Sequence, residues 1–291
     1  MNALITTVLD LDEALGGNAD LLLAGGLGLY LRQEDLRQKG TKTLLPLTKL
    51  PPARTTQDID LFVRAEVIAN RALVIEYRAA LDELGFVVVP GAEFLKFSRS
   101  LDGINVLIDL MAGPLGEHES NAVVRDSRVR PRGLSGKHGF HARTNQDALG
   151  VEHEPFRLTV TSEPDSKNNT ARSCEVLIPR PFPYAFMKLC ALRDRLHDED
   201  HDQGRHHAMD LYRIAGLLTE EDEGICMAIA QEYKSDPKIV ECRGIIEELF
   251  VPSDGLGRIR LLEYQRANPR TTPEVDPDWL VDELKRLLQT D

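Results

Sequence analysis

The hydrophobic period of the sequence changes part-way along, and that change limits the folds open to the chain. Up to about residue 180 the apolar residues fall largely in short alternating runs, such as Asp58-Ile-Asp-Leu-Phe-Val63 and Ile104-Asn-Val-Leu-Ile-Asp-Leu110. Successive side chains of a strand point to opposite faces, so these runs predict half-buried strands. From Pro183 onward the spacing is helical, over 184–196, 205–218, 220–233, 239–250 and 278–288. A chain of 291 residues, 42% hydrophobic, can bury cores for two domains. The expectation is an α+β domain over residues 1–180, a mixed sheet with flanking helices, followed by a helical domain over 181–291.

Within the first part, the apolar lead Leu21-Leu-Leu-Ala24 meets a Gly25-Gly26 turn that opens a helix running to about Gln38. A helix start of that kind leaves backbone N–H groups pointing outward, which suits a phosphate. Residues 40–53 carry three prolines and read as an extended connector. A helix is predicted from Ile68 to Leu84 with Gly85 as its stop, then a strand at 86–89. Asp102-Gly103 is the signal for a two-residue hairpin turn. The region beyond Gly113 reads as long and irregular, and 156–161 with 174–178 as a second hairpin around an exposed, mobile polar loop.

Several function classes are disfavoured. No apolar run approaches the ~20 residues of a membrane-spanning helix, and Met1 to Leu9 lacks a basic leader, so a cytoplasmic protein without membrane contact is expected. Cys174, Cys190, Cys226 and Cys242 are scattered too widely for a zinc knuckle or a disulfide framework and read as buried free thiols. A net charge of −12 argues against a broad surface that coats nucleic acid. Residues 125–143 are the local exception, with Arg125, Arg128, Arg130, Arg132, Lys137 and Arg143 against the single acid Asp126. They form either a local basic patch or a solvated loop.

The acids inside the strands need a reason. Alternation places Asp58, Asp60 and Phe62 on one face while Ile59, Leu61 and Val63 enter the core. The same parity sends Ile104, Val106, Ile108 and Leu110 to the core and leaves Asn105, Leu107 and Asp109 opposite. Two carboxylates on one strand and a third on a neighbour make a hard-oxygen set suited to Mg²⁺, which commonly joins such groups to substrate phosphates. Lys188 emerges from the apolar segment Tyr184 to Leu192 and needs a partner or a cleft. Asp210 stands among Ala208, Met209, Leu211 and Tyr212. His197, His201, His206 and His207 match no ligand spacing and read as an exposed charged loop between helices.

The stretches "LAGGLGLYLR", "RTTQDIDLFV", "INVLIDLM" and "AFMKLCALRDR" with "RHHAMDLYRI" together resemble the DNA polymerase β-type nucleotidyltransferase superfamily. Within it the chain is similar to the AbiEii and MenT-like toxin nucleotidyltransferases of bacterial toxin–antitoxin systems. The resemblance spans about residues 22 to 215. It implies a polymerase β-like fold whose helical domain completes the active site. Gly25 and Gly26 would hold the nucleotide phosphates, and Asp58 and Asp60, with Asp109, a two-ion Mg²⁺ site. Arg54 and Thr56 would support the acid strand, Lys188 would face the triphosphate, and Arg195 also fits the pattern. Asp210 would be a general base or a positioning acid. Leu27 stands where a Ser or Thr is usual, and His207 where relatives often have an acid.

The activity so implied is transfer of a nucleotide monophosphate from an NTP to an acceptor hydroxyl, with release of pyrophosphate. RNA, such as a tRNA 3′ end, would be the acceptor, with Arg125, Arg128, Arg130 and Arg132 under its backbone and a cognate antitoxin as partner. Two alternatives stay open: a nucleotidyltransferase acting on a small cationic antibiotic, and a catalytically inactive nucleotide-binding or interaction protein.

Overall fold

The structure, a computed structural model, describes residues 1–17, 19–52, 56, 58–164 and 170–288. It is α+β, with one mixed sheet and many helices. The chain divides into two compact units. The first holds residues 1–32, 54–146 and 154–179, and the second residues 33–53, 147–153 and 180–291. Among the described residues no helix is long and apolar enough to cross a membrane.

In the first unit α1 (Asn2–Ala14) buries Leu4, Val8 and Leu11, and β1 (Leu22–Leu23) leads into α2 (Gly25–Lys39), whose second half passes into the other unit. Next come β2 (Asp58–Phe62), α3 (Ala65–Ile68) and α4 (Arg71–Glu83). The single helix expected from Ile68 is thus two. Asn70 breaks it because its side chain accepts hydrogen bonds from Ala72 N, at 2.9 Å, and Leu73 N, so it caps a new helix. Gly85, at φ +77°, ends α4 as expected.

Strand β3 (Val87–Val88) and the hairpin β4 (Lys96–Leu101) and β5 (Ile104–Ala112) follow. Asp102 and Gly103 make the turn with both φ angles positive, +51° and +78°, as a twisted two-residue hairpin requires. The region expected to be irregular contains β6 (Ala122–Arg125), β7 (Arg128–Pro131) and β8 (Ala142–Thr144). The second hairpin is β9 (Phe156–Thr161) and β10 (Ser173–Ile178); its connecting loop lies in part outside the described residues. The strands order as β6-β7-β8-β5-β2-β1-β10-β9, with β4 on β5 and β3 on β4. Pairs β2–β5, β5–β8 and β1–β10 are parallel and the rest antiparallel. One sheet face carries Ile59, Leu61, Val106, Ile108, Leu110, Val129 and Ala142, all buried. Ile104 departs from the expected pattern, being 47% exposed at the hairpin tip.

The second unit is built from α5 (Pro181–Arg195), α6 (Arg205–Gly216), α7 (Glu220–Glu232), α8 (Pro237–Leu249), α9 (Leu256–Ala267) and α10 (Pro277–Leu288). Helix α5 is buried nearly throughout, with Phe182, Phe186, Leu189 and Leu192 fully enclosed. Thr219 and Asp222 close a capping box at the start of α7, and Arg180 donates to Asp222 at 3.2 Å. The connector over residues 40–52 is tied to the end of α6: Leu44 N donates to Leu218 O at 2.8 Å and Leu45 N to Gly216 O at 3.0 Å. All four cysteines are free and buried.

Candidate functional site

In the first unit the register places the acids. Asp60 and Asp109 are Cα partners on the parallel strands β2 and β5, and Asp58 pairs with Leu107. Partners in a parallel ladder share a face, so Asp58, Asp60 and Asp109 stand together on the face away from the buried core residues. The burial pattern of β2 agrees over Asp58 to Leu61, with Asp58 and Asp60 half-buried and Ile59 and Leu61 buried, whereas Phe62, on the acids' face, is buried as well.

The glycine turn belongs to the same place. Gly25 opens α2 at φ +60°, and a Cβ built there would lie 1.6 Å from Asp60 Oδ2. Only glycine fits that conformation and that gap. A Cβ on Gly26 would stand 3.2 Å from Thr56 Cβ, and the Thr56 hydroxyl donates to Asp58 Oδ1. The helix start, Thr56 and both strand acids therefore touch one another. Arg54 lies outside the described residues.

One neighbour was missed in the sequence. Lys96, on β4, is the Cα partner of Asp109, and its Nζ is 2.6 Å from Asp109 Oδ2. The two-residue turn at Asp102-Gly103 sets the hairpin register, so the pairing of Lys96 with Asp109 could have been counted out from it. The other carboxylate oxygen, Asp109 Oδ1, is buried with no hydrogen-bond partner among the described residues.

That oxygen tests whether Mg²⁺ suits these residues. Among the described residues no group of three or more His, Cys, Asp or Glu is gathered closely enough to cage an ion unaided. Mg²⁺ seldom needs such a cage, since it keeps waters and is held by one or two carboxylates plus substrate phosphates. Adjacent carboxylates and an unsatisfied buried oxygen fit that habit.

Compared with protein-family models, characterised proteins and solved structures, the chain matches none. What it can do must be read from its own residues.

In the second unit the two residues singled out in the sequence meet. Lys188 Nζ on α5 is 2.8 Å from Asp210 Oδ2 on α6, and Arg213 donates to Asp210 Oδ1 at 2.7 Å. Asp210 is 1% exposed and Lys188 8%, so this is a buried carboxylate held between two cations. Arg213, a turn beyond Asp210, also donates to Pro52 O at 2.8 Å and Pro51 O at 3.4 Å. Both oxygens of Asp210 are thus engaged by cations, Lys188 on one and Arg213 on the other.

His207 corrects the expectation of an exposed histidine loop. It lies on α6, 8% exposed, with its ring 3.9 Å from that of His206 between centroids. Neither ring nitrogen has a hydrogen-bond partner among the described residues. Burial pushes its pKa far below the ordinary value; Lys188, His206 and Arg195 add to the shift and Asp210 opposes it. The imidazole is neutral at neutral pH. His206 instead reaches Asp202, with Nδ1 2.8 Å from Oδ1. Arg195 ends α5 close enough to act on His207 electrostatically.

Proposed function

We propose that the chain is a Mg²⁺-dependent nucleotidyltransferase of polymerase β-like fold, moving a nucleotide monophosphate from an NTP to an acceptor hydroxyl and releasing pyrophosphate. The observation that carries this reading is the packing of Gly25, at the start of α2, directly on the Asp60 carboxylate. A phosphate-receptive helix start and an acid pair in contact are what phosphoryl transfer at an α-phosphate requires.

In this reading the backbone N–H groups at the start of α2 receive the phosphate tail. Asp58, Asp60 and the free oxygen of Asp109 are the metal-holding groups. Bound Mg²⁺ would lower the pKa of the attacking hydroxyl and neutralise charge on the phosphates. Thr56 fixes the Asp58 carboxylate, and Lys96 holds Asp109 by its other oxygen. The hydroxyl oxygen gives up its proton to solvent and bonds to the α-phosphorus as the bond from that phosphorus to the pyrophosphate oxygen breaks. Lys188, whose assignment to the triphosphate comes from the resemblance alone, is held by Asp210 within the second unit.

The same reading makes the acceptor RNA, such as a tRNA 3′ end, and the protein the toxin of a toxin–antitoxin pair. Incubation with each α-labelled NTP, Mg²⁺ and either total tRNA or an aminoglycoside panel tests it. Label is expected on RNA, and Asp60→Asn is expected to abolish transfer. Label on a drug would replace the RNA acceptor, and label on neither would remove the transferase proposal.

A further inference from the structure

We infer that the sheet face bearing the acids continues, toward its β6 edge, as a docking surface for a single-stranded polynucleotide, formed by an arginine row and the ring of Phe94. The inference rests on the proposed acceptor class for the strand's destination, whereas the binding itself is separately measurable.

The row follows from register. Met111 on β5 pairs with Arg143 on β8, Arg143 with Arg128 on β7, and Arg128 with Arg125 on β6. Cα partners share a face, and Met111 has the parity of Asp109. Arg143, Arg128 and Arg125 therefore lie on the acid face, and Arg130, two residues after Arg128, joins them. Strands stand about 4.8 Å apart, so the row covers roughly 15 Å from Met111 to the edge strand.

Among the described residues no carboxylate forms an ion pair with Arg128, Arg130 or Arg143, although Glu93 lies close enough to Arg128 to act on it electrostatically. Arg128 donates to Glu93 O at 3.0 Å and Arg130 to Leu134 O at 2.5 Å, so their forks are fixed by carbonyls, which carry no net charge. Arg125 meets Asp126 only at the tip, where the two side chains are 86% and 84% exposed and solvent weakens the pair. Arg132 does not belong to the row: it lies beyond β7 and donates to Ser120 O.

A duplex could use the charges alone, but the surface also offers a ring. Phe94 is held at φ +65°, a conformation unusual for a bulky residue. Its carbonyl accepts from His141 N at 2.8 Å, its ring centroid is 5.8 Å from that of His141, and Arg128 binds the preceding carbonyl. It is only half-buried. Arginines that track phosphates beside an aromatic platform for an unstacked base are the two parts of a single-strand site. Burial, with Arg128 and Arg130, lowers the His141 pKa, so the ring beside Phe94 adds no charge at neutral pH.

The test uses the full chain, without NTP, and a short labelled oligouridylate followed by fluorescence anisotropy across a salt series. Neutralising three or four phosphates gives a slope of log affinity on log salt of about −2 to −3. The triple variant Arg125→Gln/Arg128→Gln/Arg143→Gln is expected to flatten the slope by about 2 and weaken binding at least ~10-fold. Its charge-keeping counterpart, with Lys at the three positions, should retain the slope. Phe94→Ala should weaken binding ~10-fold with the slope unchanged, and Lys285→Gln, on α10, should change neither. A triple Gln variant that binds as the wild type does, or a duplex bound as tightly as the single strand, overturns the inference. Because no nucleotide is present, failure of label transfer with RNA binding intact counts against the transferase alone.

Discussion

Substituting Gly25 by alanine tests the contact between the helix start and the acid strand. The added Cβ would begin 1.6 Å from Asp60 Oδ2, whereas ordinary contacts start at 3.4 Å, so one partner must move by about 2 Å. The Asp60 backbone cannot easily give way, since its carbonyl accepts from Ala24 N at 2.9 Å and it is paired with Asp109. Either the carboxylate leaves its rotamer, at ~1 kcal/mol, or the first turn of α2 lifts. To this is added ~1–2 kcal/mol for a side chain at φ +60°. The sum, roughly 2–3 kcal/mol, corresponds to a Tm lower by about 5–10 °C for a chain of this size, with loss of nucleotide transfer. Gly26→Ala is the control, because its Cβ would meet Thr56 Cβ at 3.2 Å without a positive φ, and should cost under ~1 kcal/mol. Combining Gly25→Ala with Asp60→Ala removes the clashing oxygen but not the backbone cost, so thermal melts of the cycle should give a favourable coupling of ~1 kcal/mol. Equal melting of the two glycine variants, or no coupling, would refute the contact.

Lys188→Met should cost ~1–3 kcal/mol in urea unfolding, and Arg213→Met more, because only Arg213 also satisfies the carbonyls of Pro51 and Pro52. Equal losses would contradict that difference. The lowered pKa of His207 means that below about pH 6.5 the unfolded chain takes up a proton that the folded chain refuses. Stability is then lost as pH falls, by at most ~1.4 kcal/mol per pH unit, and His207→Gln should show a shallower pH dependence of Tm below pH 6.5. Lys96→Met frees Asp109 Oδ2 from its 2.6 Å partner and should lower the Mg²⁺ concentration for half-maximal transfer; a rise would mean that Lys96 supports the metal site.

The parity of Asp58 and Asp60 was legible because alternation on a strand depends on nothing beyond the strand itself. Placing Asp109 beside Asp60 needed a parallel pairing, which the sequence does not announce, and the register supplied it. Strands β6, β7 and β8 were invisible for a different reason: each has four residues or fewer, and the arginines that make the row take the place of the apolar side chains by which a strand is recognised. Helix α9 escaped notice between two helices with clearer apolar stripes. Burial of His207 could not be read from "RHHAMD", since an imidazole beside a buried lysine looks, in sequence, like one in a charged loop.

Strand β1, only two residues long, has the longest wait. Leu22 on β1 pairs with Phe62 on one side and with Leu177 on the other, so one of its two edges cannot close until nearly the whole of the first unit has emerged from the ribosome. Pairings between residues so distant in sequence form late and slowly. Until then the nascent chain carries an open apolar edge directly ahead of Gly25, a natural point for chaperone capture or for misassembly between neighbouring chains. Fragments ending before Ser173 should keep that edge exposed.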